Sequence, residues 1–188
     1  MTGLARCGLL LLLVKALGCT PARAPEAGSV VLRGTDGSLH PVDAELRGHP
    51  LTVVSFFSAH CPCQRAHDAR IRELVAKDAP LGVGFLFVDS EESATMGRDA
   101  DEARARGYAL VLDDGGKLAR ALDAEYATFS VVLDRDGHVV YRGGFDSDQH
   151  HLRDDRAPYL ANAIDDLLAG RAPRASETKA LGCTLELR

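Results

Sequence analysis

Two cysteines, Cys61 and Cys63, flank a proline at the point where an apolar stretch ends and a helical pattern begins. Residues 51–57 form a mostly apolar run, which predicts a buried strand. Apolar side chains then recur at helical spacing over residues 62–77, so Cys61 lies at or just before the start of a helix. The free N–H groups and the dipole at that end of a helix stabilise a thiolate over a thiol. The chemistry predicted here is that of a thiolate, acting as a nucleophile or as a metal ligand.

A second thiol would allow this thiolate to carry out thiol–disulfide exchange, because one thiol must attack and another must resolve the mixed disulfide. Cys63 is the first candidate, since a Cys61–Cys63 bond would close a very small, strained ring, and strained disulfides are easily reduced. Cys183 is the second candidate, if the end of the chain folds back; it could instead form a structural disulfide with one of the pair. His60, if charged, and Arg65 would favour the thiolate further.

The elements that must position these cysteines alternate along the chain. An N-terminal β-hairpin is predicted at 30–32 and 38–42, around the turn signal at 34–37. The elements that follow are strands at 51–57, 81–88 and 108–112, helices at 62–77, 91–106 and 117–122, a hairpin at 129–133 and 139–141, and a helix at 159–168. This order predicts an α/β fold with a central sheet covered by helices on both faces.

The composition of the chain narrows the classes of function. The net charge is −5 and no basic run occurs, so the sequence lacks the positive patch by which proteins bind nucleic acid. With 188 residues, 46% of them hydrophobic, the chain can form one well-packed domain, predicted over 30–170. The remaining segment, 171–188, is a weakly patterned tail that contains Cys183.

The first residues of the chain have the pattern of an export signal, predicted at 1–19. A short positive segment precedes an apolar run at 9–14 that is too short to span a bilayer. Residues 16–19 resemble a bacterial lipobox, which predicts a lipid on Cys19, and 20–29 would then be a flexible tether. The predicted location is the periplasm or the outer membrane, with lipid anchoring. Disulfides can persist there, and Cys61, Cys63 and Cys183 are the thiols that remain.

Several segments together resemble one known group of proteins. They are the junction between the first central strand and Cys61, the strand at 85–89, the segment at 112–115, the hairpin at 131–143, and the helix at 161–170 followed by 178–183. Over roughly 30–168 the chain resembles the redoxin (AhpC/TSA-type) branch of the thioredoxin-like superfamily. The resemblance implies a thioredoxin-like three-layer fold, with a mixed central sheet and the N-terminal hairpin as an extension.

The same resemblance implies a function. The chain would be an exported bacterial thiol–disulfide oxidoreductase that acts on protein thiols or disulfides of the envelope, with Cys61 as nucleophile and Cys63 or Cys183 as resolving thiol. Peroxide reduction of the peroxiredoxin type is an alternative, because Ser58 fits the position three residues before the peroxiredoxin cysteine. No cofactor is implied.

The sequence also departs from the patterns of that superfamily. Gln64 occupies the second cysteine position of the Cys-x-x-Cys pattern, and Val54 replaces the proline of the peroxiredoxin pattern. The segment 127–129, before the next-to-last strand, lacks the usual cis-proline. These departures keep open a third possibility, a domain that only binds a partner.

A copper-binding chaperone is the alternative from another class. Thiolates and imidazoles suit Cu(I) or Zn(II), and the thioredoxin-like copper chaperones use two cysteines and a distant histidine. The corresponding ligands here would be Cys61, Cys63 and His150, in a loop after the second hairpin. His67, on the predicted helix, is expected to be exposed to solvent.

Overall fold

The computed structural model describes residues 24–95 and 97–187. The predicted export signal at 1–19, the lipid on Cys19 and the first residues of the tether lie outside the described residues and stay predictions. No helix within the described residues is both long and apolar enough to cross a membrane.

Seven strands form one sheet in the described part of the chain, and Cys61 follows the end of a strand near the centre of that sheet. The strands are β1 (Val31–Gly34), β2 (Leu39–Pro41), β3 (Leu51–Phe56), β4 (Val83–Asp89), β5 (Leu110–Leu112), β6 (Ser130–Asp134) and β7 (Val139–Gly143). Their order across the sheet is β2-β1-β5-β4-β3-β6-β7. Strands β3, β4 and β5 are parallel, and the other pairs are antiparallel. The prediction of a thioredoxin-like α/β fold with a mixed sheet is confirmed.

Helices cover both faces of this sheet. They are α1 (Pro25–Gly28), α2 (Val42–Gly48), α3 (Pro62–Asp78), α4 (Arg98–Ala105), α5 (Lys117–Ala121) and α6 (Tyr159–Leu168), with a 3-10 turn at Ala79–Leu81. Buried side chains of α4, of α6 and of α3 beyond its first turn belong to one apolar cluster, and those of α1, α2 and α5 belong to the other. Because side chains alternate along a strand, Val53 joins the first cluster and Val54 the second. Cys61 and Cys63 lie in the second cluster.

The structure corrects the predicted elements at three places. The helix predicted at 91–106 begins only at Arg98, because the backbone N–H of Glu92 donates to the carbonyl of Glu186 at 2.7 Å and so turns toward the tail. Helix α2 was not predicted, since its buried face consists only of Val42 and Leu46. The predicted tether at 20–29 does not extend to its predicted end, because Ala27 is 1% exposed and packs against the domain.

Asp89 ends β4 as a buried carboxyl group, 1% exposed, and accepts a hydrogen bond from the backbone N–H of Glu91 at 3.1 Å. Burial raises the pKa of Asp89 to about 7. Between about pH 4, where an unfolded chain releases this proton, and about pH 7, the folded chain binds more protons than the unfolded chain. The free energy of unfolding therefore falls as pH rises through this range. Above the range, the ionisation of Asp89 no longer changes it.

We expect Asp89→Asn to remove this part of the pH dependence, because an amide carries no charge and its oxygen can still accept the hydrogen bond. The variant should match the wild type near pH 4 and exceed it at pH 8 by up to about 4 kcal/mol, at about 1.4 kcal/mol for each pKa unit. Urea unfolding at the two pH values measures the difference. Asp154→Asn, at another exposed position, is the control and should give the pH profile of the wild type. Parallel profiles for Asp89→Asn and the wild type would contradict the argument.

Candidate functional site

Three thiols from two distant parts of the chain meet at the start of α3. The Sγ atoms of Cys61, Cys63 and Cys183 all lie within 4.8 Å of one another, and no disulfide joins them. Cys61 and Cys63 are buried, whereas Cys183 is half-buried. The structure thus brings together all three cysteines that the sequence singles out as catalytic candidates.

Cys61 is held in place by the start of the helix. It is the N-cap residue of α3, with an extended backbone, and its carbonyl accepts the first helical hydrogen bond from the N–H of Arg65 at 3.1 Å. Pro62 suits the next position, because its fixed φ matches a helix and no N–H is needed there. The side chain makes no capping bond to its own helix. Instead its Sγ accepts a hydrogen bond from the backbone N–H of Cys183 at 3.4 Å.

The other two thiols hold their protons more tightly than an ordinary cysteine. Burial raises the pKa of Cys63, and the negative charge of a Cys61 thiolate raises it further. Burial also raises the pKa of Cys183 to about 12, together with its hydrogen bond to Cys61 and the charge there. Cys63 and Cys183 are therefore thiols near neutral pH, and each can give a proton to a thiolate that forms beside it.

The tail reaches Cys61 through backbone pairing with the loop before β6. Tyr126 and Thr184 form an antiparallel bridge. The N–H of Ala127 donates to the carbonyl of Cys183 at 2.8 Å, and the N–H of Leu185 donates to the carbonyl of Glu125, also at 2.8 Å. These bonds fix the register of the tail, and so Cys183 faces the first turn of α3.

Two residues show how tightly the tail and this loop fit. A Cβ atom on Gly182 would lie 1.6 Å from the carbonyl oxygen of Ala127, so only glycine allows this approach. Thr128 has a φ of +67°, which is strained for a β-branched residue, and its N–H donates to the carbonyl of Phe56 at 2.9 Å. The segment 127–129, where the superfamily usually has a cis-proline, is thus occupied on one side by the protein's own tail.

Arg65 and His60, the two residues expected to support a thiolate at Cys61, are both exposed to solvent. Arg65 is exposed and pairs with Glu102 at 3.2 Å. His60 is exposed to solvent. The support for a thiolate that the sequence assigned to Arg65 and His60 therefore competes with Glu102 and with water. At Cys61 the structure shows a hydrogen bond from the backbone of the tail, together with the neighbouring thiols of Cys63 and Cys183.

His67 differs from its expected place on the solvent side of α3. It is 2% exposed, with Nδ1 2.8 Å from the carbonyl oxygen of Cys63 and Nε2 2.9 Å from Oδ1 of Asp146. Burial lowers the pKa of His67, but the hydrogen bonds to Asp146 and to the Cys63 carbonyl raise it more, and its net pKa is raised. Arg70 binds the second oxygen of Asp146 at 2.7 Å. This network positions the first turn of α3, and sequence reasoning missed it because Asp146 lies 79 residues further along the chain.

The histidine considered as a copper ligand does not belong to the group formed by the three thiols. His150 is exposed, and its ring packs on that of His151 with centroids 4.2 Å apart. Within residues 24–95 and 97–187, two groups of at least three possible metal ligands have donor atoms within 4.8 Å of one another. One is the three cysteines, and the other is Asp134, Asp136 and His138 on the hairpin between β6 and β7. Neither group includes His150.

Comparisons with known proteins agree with this fold. The family model described as Redoxin matches residues 22–158. No curated protein matches the chain. A hypothetical protein from Sinorhizobium meliloti 1021 is 23% identical, with a TM-score of 0.79 over 89% of this chain and 94% of that one. An uncharacterised conserved protein from Geobacillus kaustophilus is also 23% identical, with a TM-score of 0.80 over 89% and 92%. The thioredoxin domain of a thiol–disulfide oxidoreductase from Bacteroides vulgatus is 16% identical, with a TM-score of 0.58 over 78% and 98%.

Proposed function

Because the chain belongs to the Redoxin family, we propose that it is a thiol–disulfide oxidoreductase with Cys61 as the nucleophile and Cys183 as the resolving thiol. The observation that carries this proposal is the contact between the two residues, in which the N–H of Cys183 donates to Sγ of Cys61 while the three Sγ atoms lie within 4.8 Å of one another. Its substrates are protein disulfides or thiols.

The proposed reaction proceeds in two exchange steps. The Cys61 thiolate attacks one sulfur of a substrate disulfide, forms a mixed disulfide and releases the other sulfur as a thiolate. That thiolate takes the proton of Cys183, and the Cys183 thiolate then attacks Sγ of Cys61. This step forms a Cys61–Cys183 disulfide and releases the second substrate sulfur, which takes up a proton from water. The substrate gains two electrons, and an external dithiol must return them to the protein for a further cycle.

Cys183 is preferred over Cys63 as the resolving thiol for a geometric reason. A disulfide needs its sulfurs about 2.05 Å apart with a dihedral angle near 90°. For Cys61 and Cys63 this must be reached across the rigid Pro62 and within the first turn of α3, so the start of the helix would have to distort. Cys183 lies on a separate segment whose side chain can turn toward Cys61 without a change in α3.

The choice of resolving thiol is tested by trapping the mixed disulfide. We expect Cys183→Ser to accumulate a covalent adduct between Cys61 and a disulfide-bonded peptide, because the second step is blocked, whereas the wild type releases the peptide. Mass spectrometry of the alkylated, non-reduced protein identifies both species. In the matched variant Cys63→Ser, a Cys61–Cys183 disulfide should still form. If instead Cys63→Ser traps the adduct and Cys183→Ser releases the peptide, Cys63 is the resolving thiol and the proposed pairing is wrong.

A further inference from the structure

The proposed exchange reaction uses two thiols, but the site contains three. Cys63 is 4% exposed, and its Sγ lies within 4.8 Å of the Sγ atoms of both Cys61 and Cys183. A buried cysteine can serve simply as a small apolar side chain. The feature that points beyond packing is the position of this sulfur beside two others.

The spacing of the three sulfurs is close to what a metal ion requires. A metal–thiolate bond of about 2.3 Å places three sulfurs about 4.0 Å apart when they surround an ion in a plane. The sulfurs here lie within 4.8 Å of one another without an ion. Small side-chain rotations therefore suffice to bring them to bonding distance, and no backbone movement is needed.

The donor set selects the kind of ion. Soft thiolates bind Cu(I), Zn(II) and iron–sulfur clusters. Structural zinc sites and iron–sulfur clusters take four protein ligands, and within the described part of the chain this group provides three sulfurs and no imidazole or carboxylate. A zinc ion held by three protein ligands needs a water or substrate as its fourth ligand. Cu(I) is the soft ion that does not demand a fourth ligand. Cys61 and Cys63 are also shielded from water, at 1% and 4% exposure, which protects a bound Cu(I) from solvent.

The elements around the thiols hold them in place for such an ion. Cys61 caps the start of α3 and Cys63 lies on its first turn, where the carbonyl of Cys63 is 2.8 Å from Nδ1 of the buried His67. Cys183 is held by its carbonyl, which accepts from the N–H of Ala127 at 2.8 Å. The three ligands therefore come from two segments that are each fixed by hydrogen bonds. Binding of an ion would need little further ordering of either segment.

We propose that the reduced chain binds one Cu(I) ion through the thiolates of Cys61, Cys63 and Cys183. Binding replaces the thiol protons by the metal and changes no oxidation state, so it requires no further reactant. This inference goes beyond the proposed exchange reaction and does not rest on it. It also differs from the copper alternative drawn from the sequence, because Cys183 takes the place that was assigned to His150.

The experiment is an anaerobic titration of the reduced full-length protein with Cu(I), in competition with a Cu(I) chelator of known affinity. We expect one ion per chain, with three sulfur neighbours in X-ray absorption spectra. Cys63→Ser and Cys183→Ser should each weaken binding by about 100-fold or more, since loss of a ligand exceeds the 10–100-fold cost of losing an outer partner of a ligand. His150→Asn is the control and should bind like the wild type, because His150 lies outside the thiol group.

Three results would overturn the proposal. Wild-type binding by Cys183→Ser would show that Cys183 is not a ligand. Loss of binding by His150→Asn would show that His150 is a ligand and that the three thiolates are not the whole site. Wild-type protein that competes for Cu(I) no better than Cys63→Ser would show that the three-thiolate site does not exist. Circular dichroism of each variant establishes that it is folded. Disulfide exchange by the same wild-type preparation is assayed in parallel, so a failure of copper binding with exchange intact refutes this inference alone.

Discussion

Cys61→Ser is expected to abolish thiol–disulfide exchange. A serine hydroxyl is not ionised at neutral pH and cannot form a disulfide, so the first step of the reaction is lost entirely. The substitution changes one atom of a side chain that is 1% exposed, and the fold should survive it. The rate of insulin reduction with an added dithiol should fall to the uncatalysed level, a loss of about 1000-fold or more if the wild type is an efficient catalyst.

The other cysteine variants make this test specific. Cys183→Ser should keep the first step and lose turnover, since Cys61 can still attack. A Cys61→Ser protein that turns over at the wild-type rate would show that another thiol is the nucleophile. A wild type without any exchange activity would contradict the proposed function itself. If such a protein reduced peroxide and carried a sulfenic acid on Cys61, the peroxidase alternative would replace it.

The parts of the fold that the sequence predicted are those with a local signal. Helix α6 was predicted at the bounds that the structure has, 159–168, because its apolar residues recur at helical spacing. Helix α3 was predicted within one residue, since Pro62 marks its start and an amphipathic pattern continues from there. The position of Cys61 at this helix start followed from the same two signals.

The parts that could not be predicted depend on contacts between distant segments. The tail has little periodicity, and its place is set by backbone bonds to Ala127 and Glu125, which leave no side-chain pattern in the sequence. The burial of His67 depends on Asp146, whose position opposite α3 is known only once the sheet has formed. For the same reason the sequence left Cys63 and Cys183 as alternatives, whereas the structure places both beside Cys61.

Gly182→Ala is expected to displace the tail from the loop before β6. The new Cβ would lie 1.6 Å from the oxygen and 2.6 Å from the carbon of the Ala127 carbonyl, and these are backbone atoms that cannot turn away. Either the tail shifts or the loop does, and in both cases the bond between the N–H of Ala127 and the carbonyl of Cys183 is broken. Overpacking of this kind costs about 3 kcal/mol, which urea unfolding detects.

The same substitution separates the role of the tail from that of its cysteine. Gly182→Ala retains Cys183, yet a displaced tail should no longer form the Cys61–Cys183 disulfide, and the mixed disulfide should persist as it does in Cys183→Ser. Gly48→Ala is the matched control, because a Cβ there meets no atom within 4 Å, and it should change stability by less than about 0.5 kcal/mol. Wild-type stability and a wild-type rate of disulfide formation in Gly182→Ala would show that the tail does not hold Cys183 against Cys61. A loss of both would support the view that the close approach of Gly182 to Ala127 is needed to hold Cys183 against Cys61.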